Sequence, residues 1–202
     1  MPTPLGKAFY HTIGGAVLDH LVPTTASAGL IVLLLRTIEY VTTPADGDLA
    51  FSAGWFAAVL FAVSVSQGTH LRRRDWGDVF LDIGEAIAML YAFVALGFVE
   101  SAPKPLWHFY SALLAFLLFI LMRRRYAKQA THAEDDATPW ITRLTITVCV
   151  VLAAAIPVSA FHWLEVDYAI IVGLWGALVI YVCLALWREI KWPPDRRVSA
   201  SG

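Results

Sequence analysis

Three carboxylates recur at helical spacing in one segment of the chain. Asp78, Asp82 and Glu85 stand at positions i, i+4 and i+7, which places them on one face of an α-helix. At about 1.5 Å of rise per residue, Glu85 lies about 10 Å further along the helix than Asp78. Stacked carboxylates repel one another unless they face water, cations or basic side chains, or unless the deepest is protonated. The spacing indicates the mouth of a cation or proton pathway. The alternative for Asp78 and Asp82 is that they cap the start of the helix and form ion pairs with the arginine run 72–74.

Arg36 and Glu39 form a second candidate pair, three residues apart within an apolar segment. A local ion pair lowers the cost of holding either charge at membrane depth. Arg36 can instead extend toward the lipid headgroups, or turn inward and bridge to Glu85. The candidate pathway residues are therefore Asp78, Asp82, Glu85, Arg36 and Glu39.

Weaker polar signals are scattered through the other apolar segments. Hydroxyl groups in membrane helices usually bond back to the backbone or join helices, so each is a weak sign of a path. These side chains are His108, Tyr110, Ser111, Thr145, Thr147 and Ser159.

The composition is that of an integral membrane protein. Of 202 residues, 58% are hydrophobic and 15% are charged, whereas soluble domains are about 45–50% apolar and about 25% charged. These proportions exclude a disordered chain and a nucleic-acid-binding domain, and leave little room for a soluble enzyme. Both cysteines, Cys149 and Cys183, lie in apolar runs, so neither a disulfide framework nor a zinc site is indicated.

Six apolar segments reach or approach the length of about 20 residues that a membrane helix needs. They are residues 24–43, 49–69, 79–99, 105–122, 141–163 and 168–187. The predicted fold class is therefore all-α: a polytopic helical membrane protein with about six transmembrane helices. Residues 1–22 are predicted to form a short amphipathic interfacial helix, residues 23–191 the bundle, and residues 192–202 a flexible cytoplasmic tail.

Basic residues mark one side of this predicted bundle. Arginine runs follow the second and fourth segments at residues 72–74 and 123–125, and four basic residues follow the sixth. In the links on the opposite side of the bundle, Lys104 is the only basic residue. Positive charge favours the cytoplasmic side of a membrane. We therefore expect a multi-pass protein of the cytoplasmic membrane with both termini in the cytoplasm.

The sequence contains no motif that is typical of a particular reaction, and no histidine spacing that suggests a haem site. We expect no cofactor, and we favour a non-enzyme over an enzyme. The leading hypothesis is a protein that conducts, transports or binds an ion or small solute, as a homo-oligomer or with a membrane partner. The second is a non-transporting membrane subunit or assembly factor. The third is a lipid-modifying enzyme with a metal held by Asp78, Asp82 and His70.

The predicted orientation is testable with a topology reporter. A reporter fused after Gly202 should be active only in a cytoplasmic format, because the basic segments lie on that side. The same reporter placed after Ser101, in the link between the third and fourth predicted segments, should give the opposite signal. A periplasmic signal from the intact Gly202 fusion would contradict the orientation.

Overall fold

The fold is a bundle of helices. A computed structural model describes residues 15–42, 48–68, 76–97, 105–131, 139–161 and 164–191. These residues form six helices, in agreement with the all-α prediction: α1 (Gly15–Thr42), α2 (Asp48–Gly68), α3 (Trp76–Ala95), α4 (Leu106–Thr131), α5 (Pro139–Ala160) and α6 (Leu164–Lys191).

Three of these helices are long and apolar enough to cross a membrane. The candidate spans are Leu106–Tyr126 in α4, Trp140–Ala160 in α5 and Val166–Leu184 in α6, and shorter apolar stretches occupy His20–Leu35 and Leu49–Ser64. Helix α3 has 20 residues but carries three carboxylates. The described residues therefore make the chain a candidate multi-pass membrane protein with three candidate spans, and the six-span count stays a prediction.

Helix α1 crosses the predicted division between residues 22 and 23. It runs without interruption from Gly15 to Thr42 with Pro23 inside it, so the first eight described residues continue into the first apolar segment. Proline is tolerated in membrane helices where neighbouring groups satisfy the freed carbonyl. The predicted interfacial segment before residue 15 and the tail 192–202 lie outside the described residues.

Helices α3 and α4 pack along their length as an antiparallel hairpin. At one end, the Tyr91 hydroxyl and His108 Nδ1 are 2.6 Å apart. Toward the other end, the rings of Phe80 and Phe119 meet edge to face with centroids 6.1 Å apart. Beyond Ala95 the chain turns at Gly97, whose φ of 76° is in the left-handed region that favours glycine.

The centre of the bundle is apolar and aromatic. Phe61 of α2 packs edge to face against Phe93 of α3 and Phe116 of α4, with centroids 5.7 and 4.7 Å apart. Such pairs add about 0.5–1.5 kcal/mol beyond their burial. Helix α6 lies against α5 and α2, where Trp175 Nε1 donates to Ser52 Oγ at 3.2 Å.

Gly29 of α1 is the point where the first helix meets this aromatic core. A Cβ at this position would overlap the ring of Phe93. Gly29→Ala should therefore push Phe93 off Phe61 and lower the free energy of unfolding by about 1–3 kcal/mol. Denaturant unfolding in detergent micelles measures the change.

The matched control is Gly173→Ala on α6, where no atom lies within 4 Å of the added methyl group. Its stability should change by no more than about 0.5 kcal/mol. Equal stabilities of the two variants would mean that α1 does not approach Phe93 as closely as the structure has it.

Candidate functional site: a buried arginine–carboxylate cluster

Three carboxylates of α3 converge on one guanidinium of α4. Arg123 Nη2 donates to Asp82 Oδ1 at 2.6 Å, and Arg123 Nε donates to Glu85 Oε1 at 2.8 Å. Arg123 Nη1 lies 3.7 Å from Asp78 Oδ1. These four residues are here named the arginine–carboxylate cluster, and together they join the start of α3 to the second half of α4.

The cluster is almost completely buried. Relative exposure is 0% for Asp78 and Asp82, 7% for Glu85 and 3% for Arg123. Removing charges from water costs several kcal/mol per ion, which only close pairing and hydrogen bonding offset. Each of the three carboxylates also takes part in further interactions. The cluster is therefore a tightly held charged site within the bundle.

The antiparallel hairpin explains why these residues meet. Asp78 lies in the first turn of α3, where the positive end of the helix dipole favours a carboxylate. Asp82 and Glu85 follow on the same face, one and two turns further along. Because α4 runs in the opposite direction, its second half lies beside the start of α3, and Arg123 reaches all three acids.

Arg123 was not among the residues predicted from the sequence as site residues. It opens the basic run 123–125, which begins directly after the predicted end of the fourth segment at residue 122 and which indicates orientation in the sequence. The helical spacing could have identified Arg123 as a buried residue. It lies on the same face of α4 as Phe109, Leu113 and Phe116, which are buried, whereas Arg125 is exposed. Arg36 and Glu39 belong to α1, but their side chains lie outside the described residues, so the predicted Arg36–Glu85 bridge stays a prediction.

A second buried polar contact lies near the start of α4. The Tyr110 hydroxyl donates to Asp167 Oδ1 at 3.1 Å, and Asp167 is 4% exposed near the start of α6. Asp167 is not among the predicted site residues, since it lies in the link between the predicted segments 141–163 and 168–187. Its pairing with Tyr110 depends on how α4 and α6 pack, which the sequence pattern does not contain.

Three of the six weaker polar signals have local roles. The hydroxyls of Ser111, Thr145 and Thr147 donate to backbone carbonyls four residues earlier in their own helices. Such bonds satisfy a hydroxyl in an apolar helix without lining a path. Ser159 is buried, and its hydroxyl makes no hydrogen bond within the described residues.

The two buried polar contacts are separated by packed apolar side chains. Tyr110 and Arg123 are 13 positions apart on α4, or about 20 Å. Between them Leu113, Phe116 and Leu117 are buried, with Phe61 of α2 against Phe116. Along this face of the described helices, the cluster is a site at one end of an apolar core.

The described residues contain no group of three or more His, Cys, Asp or Glu side chains arranged to hold a metal ion. The carboxylates of the cluster converge on a guanidinium, whereas a metal site needs ligands that surround one ion. His70, the third member of the predicted rim metal site, lies outside the described residues.

No protein-family model, curated protein or solved structure matches this chain.

Removal of the guanidinium should be far more damaging than removal of a neighbouring one. Arg123→Gln leaves three buried carboxylates without their shared cation, and breaking such a pair costs about 3–5 kcal/mol. Arg123→Lys retains the charge but not the planar fork that holds Asp82 and Glu85 together, so its loss should be intermediate. Thermal unfolding in detergent micelles reports both effects.

Arg125→Gln is the matched control, because Arg125 is exposed and only two positions away on the same helix. Its stability should change by about 0.5 kcal/mol or less. If Arg123→Gln were as stable as Arg125→Gln, the cluster would not hold α3 to α4.

Proposed function

We propose that the chain is a membrane protein that binds protons at the arginine–carboxylate cluster. The observation that carries the proposal is the gathering of three buried carboxylates around one guanidinium. Three carboxylates meet one guanidinium, and all four groups are buried. Fully ionised, these four side chains hold two more negative charges than positive ones.

Carboxylates gathered on one guanidinium in an apolar bundle cannot all stay ionised without cost. Like charges within a few ångströms disfavour ionisation, and interacting carboxylates titrate as a unit. Asp78, Asp82 and Glu85 also take part in further interactions, so the proposal rests on the closeness and burial of three like charges and not on any missing contact. Arg124 follows on α4, but its buried Nη1 makes no hydrogen bond within the described residues. Proton uptake by the cluster lowers the repulsion between these carboxylates and requires no metal-binding geometry.

The apolar core favours binding over conduction by one chain. Beyond the cluster, Phe61, Phe116 and Leu113 fill the middle of the bundle. A proton held at the cluster therefore has no polar route along this face of α4. Movement of an ion or small solute would need a second copy of the chain or a membrane partner, as the sequence analysis expected. In the orientation predicted from the basic residues, the cluster lies at the cytoplasmic end.

A second candidate function is a non-transporting membrane subunit or assembly factor. The observation in its favour is that all three acids contact the same guanidinium. In that case the cluster acts only as a clamp that holds α3 and α4 in register, and its protonation has no role.

The pH dependence of stability distinguishes the two functions. If the folded cluster holds a proton that the unfolded chain releases, the folded state binds more protons, and stability falls as the pH rises. The slope is about 1.4 kcal/mol per pH unit for each proton taken up on folding. Glu85→Gln removes one negative charge and should flatten the slope between about pH 5 and pH 8, with its largest relative gain at the alkaline end. Thermal unfolding in lipid nanodiscs across this range measures the slope.

Asp167→Asn is the control, because Asp167 is a buried carboxylate outside the cluster. This variant should keep the slope of the wild-type protein. A flat wild-type profile, or an unchanged slope in Glu85→Gln, would contradict proton binding. The clamp alone predicts that Glu85→Gln is destabilised equally at every pH, and that adding Arg123→Gln restores part of the loss.

A further inference from the structure

Asp78 is buried at a place in the chain where a carboxylate usually meets water. It lies in the first turn of α3, two residues after the helix begins at Trp76. The first N–H groups of a helix have no partner within the helix and are commonly satisfied by water or by capping side chains. The relative exposure of Asp78 is nevertheless 0%. Side chains from outside α3 therefore cover the start of this helix.

The ring of Tyr126 is one of the groups that cover the start of α3. A Cβ added at Gly77 would lie 2.5 Å from Cζ and 2.6 Å from the hydroxyl oxygen of Tyr126, so the far end of this ring rests on the backbone beside Asp78. A side chain at position 77 would push the ring away, which is why glycine is needed here. Gly77 and Tyr126 also take part in further interactions.

The helical period of α4 explains why this ring lies next to the arginine–carboxylate cluster. Tyr126 follows Arg123 by three residues, so the two side chains are neighbours on one face of α4. Because α4 runs antiparallel to α3, the turn after Arg123 lies beside the very start of α3. Arg123 is 3% exposed, whereas Tyr126 is half-buried. The ring therefore lies between the buried cluster and the surface of the described bundle.

Tyr126 is also the residue at which the apolar part of α4 ends. The candidate span in this helix runs from Leu106 to Tyr126, and the helix continues to Thr131 with the polar residues Lys128 and Gln129. Tyrosine is typical of the boundary between membrane and water. Water is thus expected directly beyond the ring, and the cluster lies directly behind it.

The helices packed against the hairpin add no buried charge to this end among the described residues. Helix α1 contributes His20 and helix α5 contributes Arg143, and both side chains are exposed. The described side chains of α2, residues 49–64, contain no ionisable group. Next to Arg123 on α4, Arg124 is half-buried and Arg125 is exposed. The cluster therefore depends on α3 and α4 for its surroundings.

We propose that Tyr126 separates the arginine–carboxylate cluster from water, and that a proton reaches the cluster when this ring moves away from Gly77. This inference rests on the proton binding proposed for the cluster. Burial favours the neutral form of a carboxyl group, and contact with water favours the ionised form. By excluding water, the ring maintains the affinity of the three carboxylates for protons. Tyr126 is thus a positioning residue, which acts on the cluster without exchanging protons itself.

Amide hydrogen exchange, followed by mass spectrometry of the full chain in lipid nanodiscs, measures the access of water to the start of α3. The first N–H groups of this helix have no partner within it, so contacts from other parts of the chain determine their protection. Tyr126→Ala should speed exchange several-fold in peptides that contain Gly77 and Asp78. Tyr126→Phe retains the ring and should exchange as slowly as the wild-type protein.

Gly77→Ala displaces the same ring without changing Tyr126, so it should also speed exchange at the start of α3. In a Tyr126→Ala background the added methyl group no longer meets a ring, and Gly77→Ala should then have little further effect. Gly77→Ala is also the variant that decides the matter if Tyr126→Ala does not fold.

Phe119→Ala is the matched control. The ring of Phe119 lies on Gly84 as that of Tyr126 lies on Gly77, and both members of this pair are seven residues further from the end of the hairpin, or about two turns. Phe119→Ala therefore removes a similar ring from the same two helices, but it should leave exchange at Gly77 and Asp78 unchanged.

The pH dependence of thermal unfolding is the second measurement, because a residue that only supports the fold would not change its slope. Water at the cluster allows the carboxylates to ionise, so Tyr126→Ala should flatten the slope without removing a charge. Tyr126→Phe and Phe119→Ala should keep the slope of the wild-type protein.

Three results would overturn the proposal. The first is exchange at Gly77 and Asp78 that is equal in the wild-type protein and in folded Tyr126→Ala. The second is an equal increase in Phe119→Ala, which would show that loss of either ring loosens the whole hairpin. The third is faster exchange in Tyr126→Ala with an unchanged, non-zero pH slope, which would show that the ring covers the helix start but not the cluster. A flat wild-type slope with the expected exchange pattern would contradict proton binding while supporting Tyr126 as the barrier to water, so the two proposals fail separately.

Discussion

The contact of Arg123 with Asp82 and Glu85 is the constraint on which the rest of the bundle depends. Apolar helices gain little from hydrophobic burial when their surroundings are also apolar, so packing and polar contacts decide which helices pair and at what offset. The guanidinium holds two carboxylates one turn apart on α3, at 2.6 and 2.8 Å. Sliding α4 by one turn would break both bonds and move the guanidinium away from the two carboxylates. One arginine therefore fixes the register of the α3–α4 hairpin.

The other features of the hairpin follow from this register. The Tyr91–His108 contact, the packing of Phe119 over Gly84 and the packing of Tyr126 over Gly77 all require the same antiparallel offset. Phe93 and Phe116 are then both in reach of Phe61 on α2. The charged cluster and the aromatic core are thus two consequences of a single helix pairing, one at the end of the hairpin and one in its middle.

Polar and apolar contacts are divided along the length of the bundle. The cluster lies near the start of α3, the Tyr110–Asp167 hydrogen bond joins α4 to the start of α6, and apolar side chains fill the space between them along α4. An isolated charge in the middle would be the most expensive arrangement, because neither water nor a helix terminus would be near. This division explains how the described helices combine buried charge with an apolar core, and it favours a protein that holds charge at one end over one that conducts it along α4.

Composition and periodicity alone determined that the chain is all-α and that Asp78, Asp82 and Glu85 share one face of a helix, since these properties depend on the local 3.6-residue period. They also located four of the six helices to within about four residues, whereas α4 continues to Thr131, beyond the predicted end at residue 122. The first helix is described from Gly15, ahead of the predicted segment, because Pro23 does not interrupt it. The partner of the carboxylates was decided by the tertiary structure. The sequence contains both Arg36 and Arg123. The face of a helix on which the carboxylates lie does not determine which helix packs against it or at what offset, so the sequence does not show which arginine is the partner. The same holds for the contacts of Asp167 and of Tyr126, because each is made by two helices whose pairing no local pattern encodes.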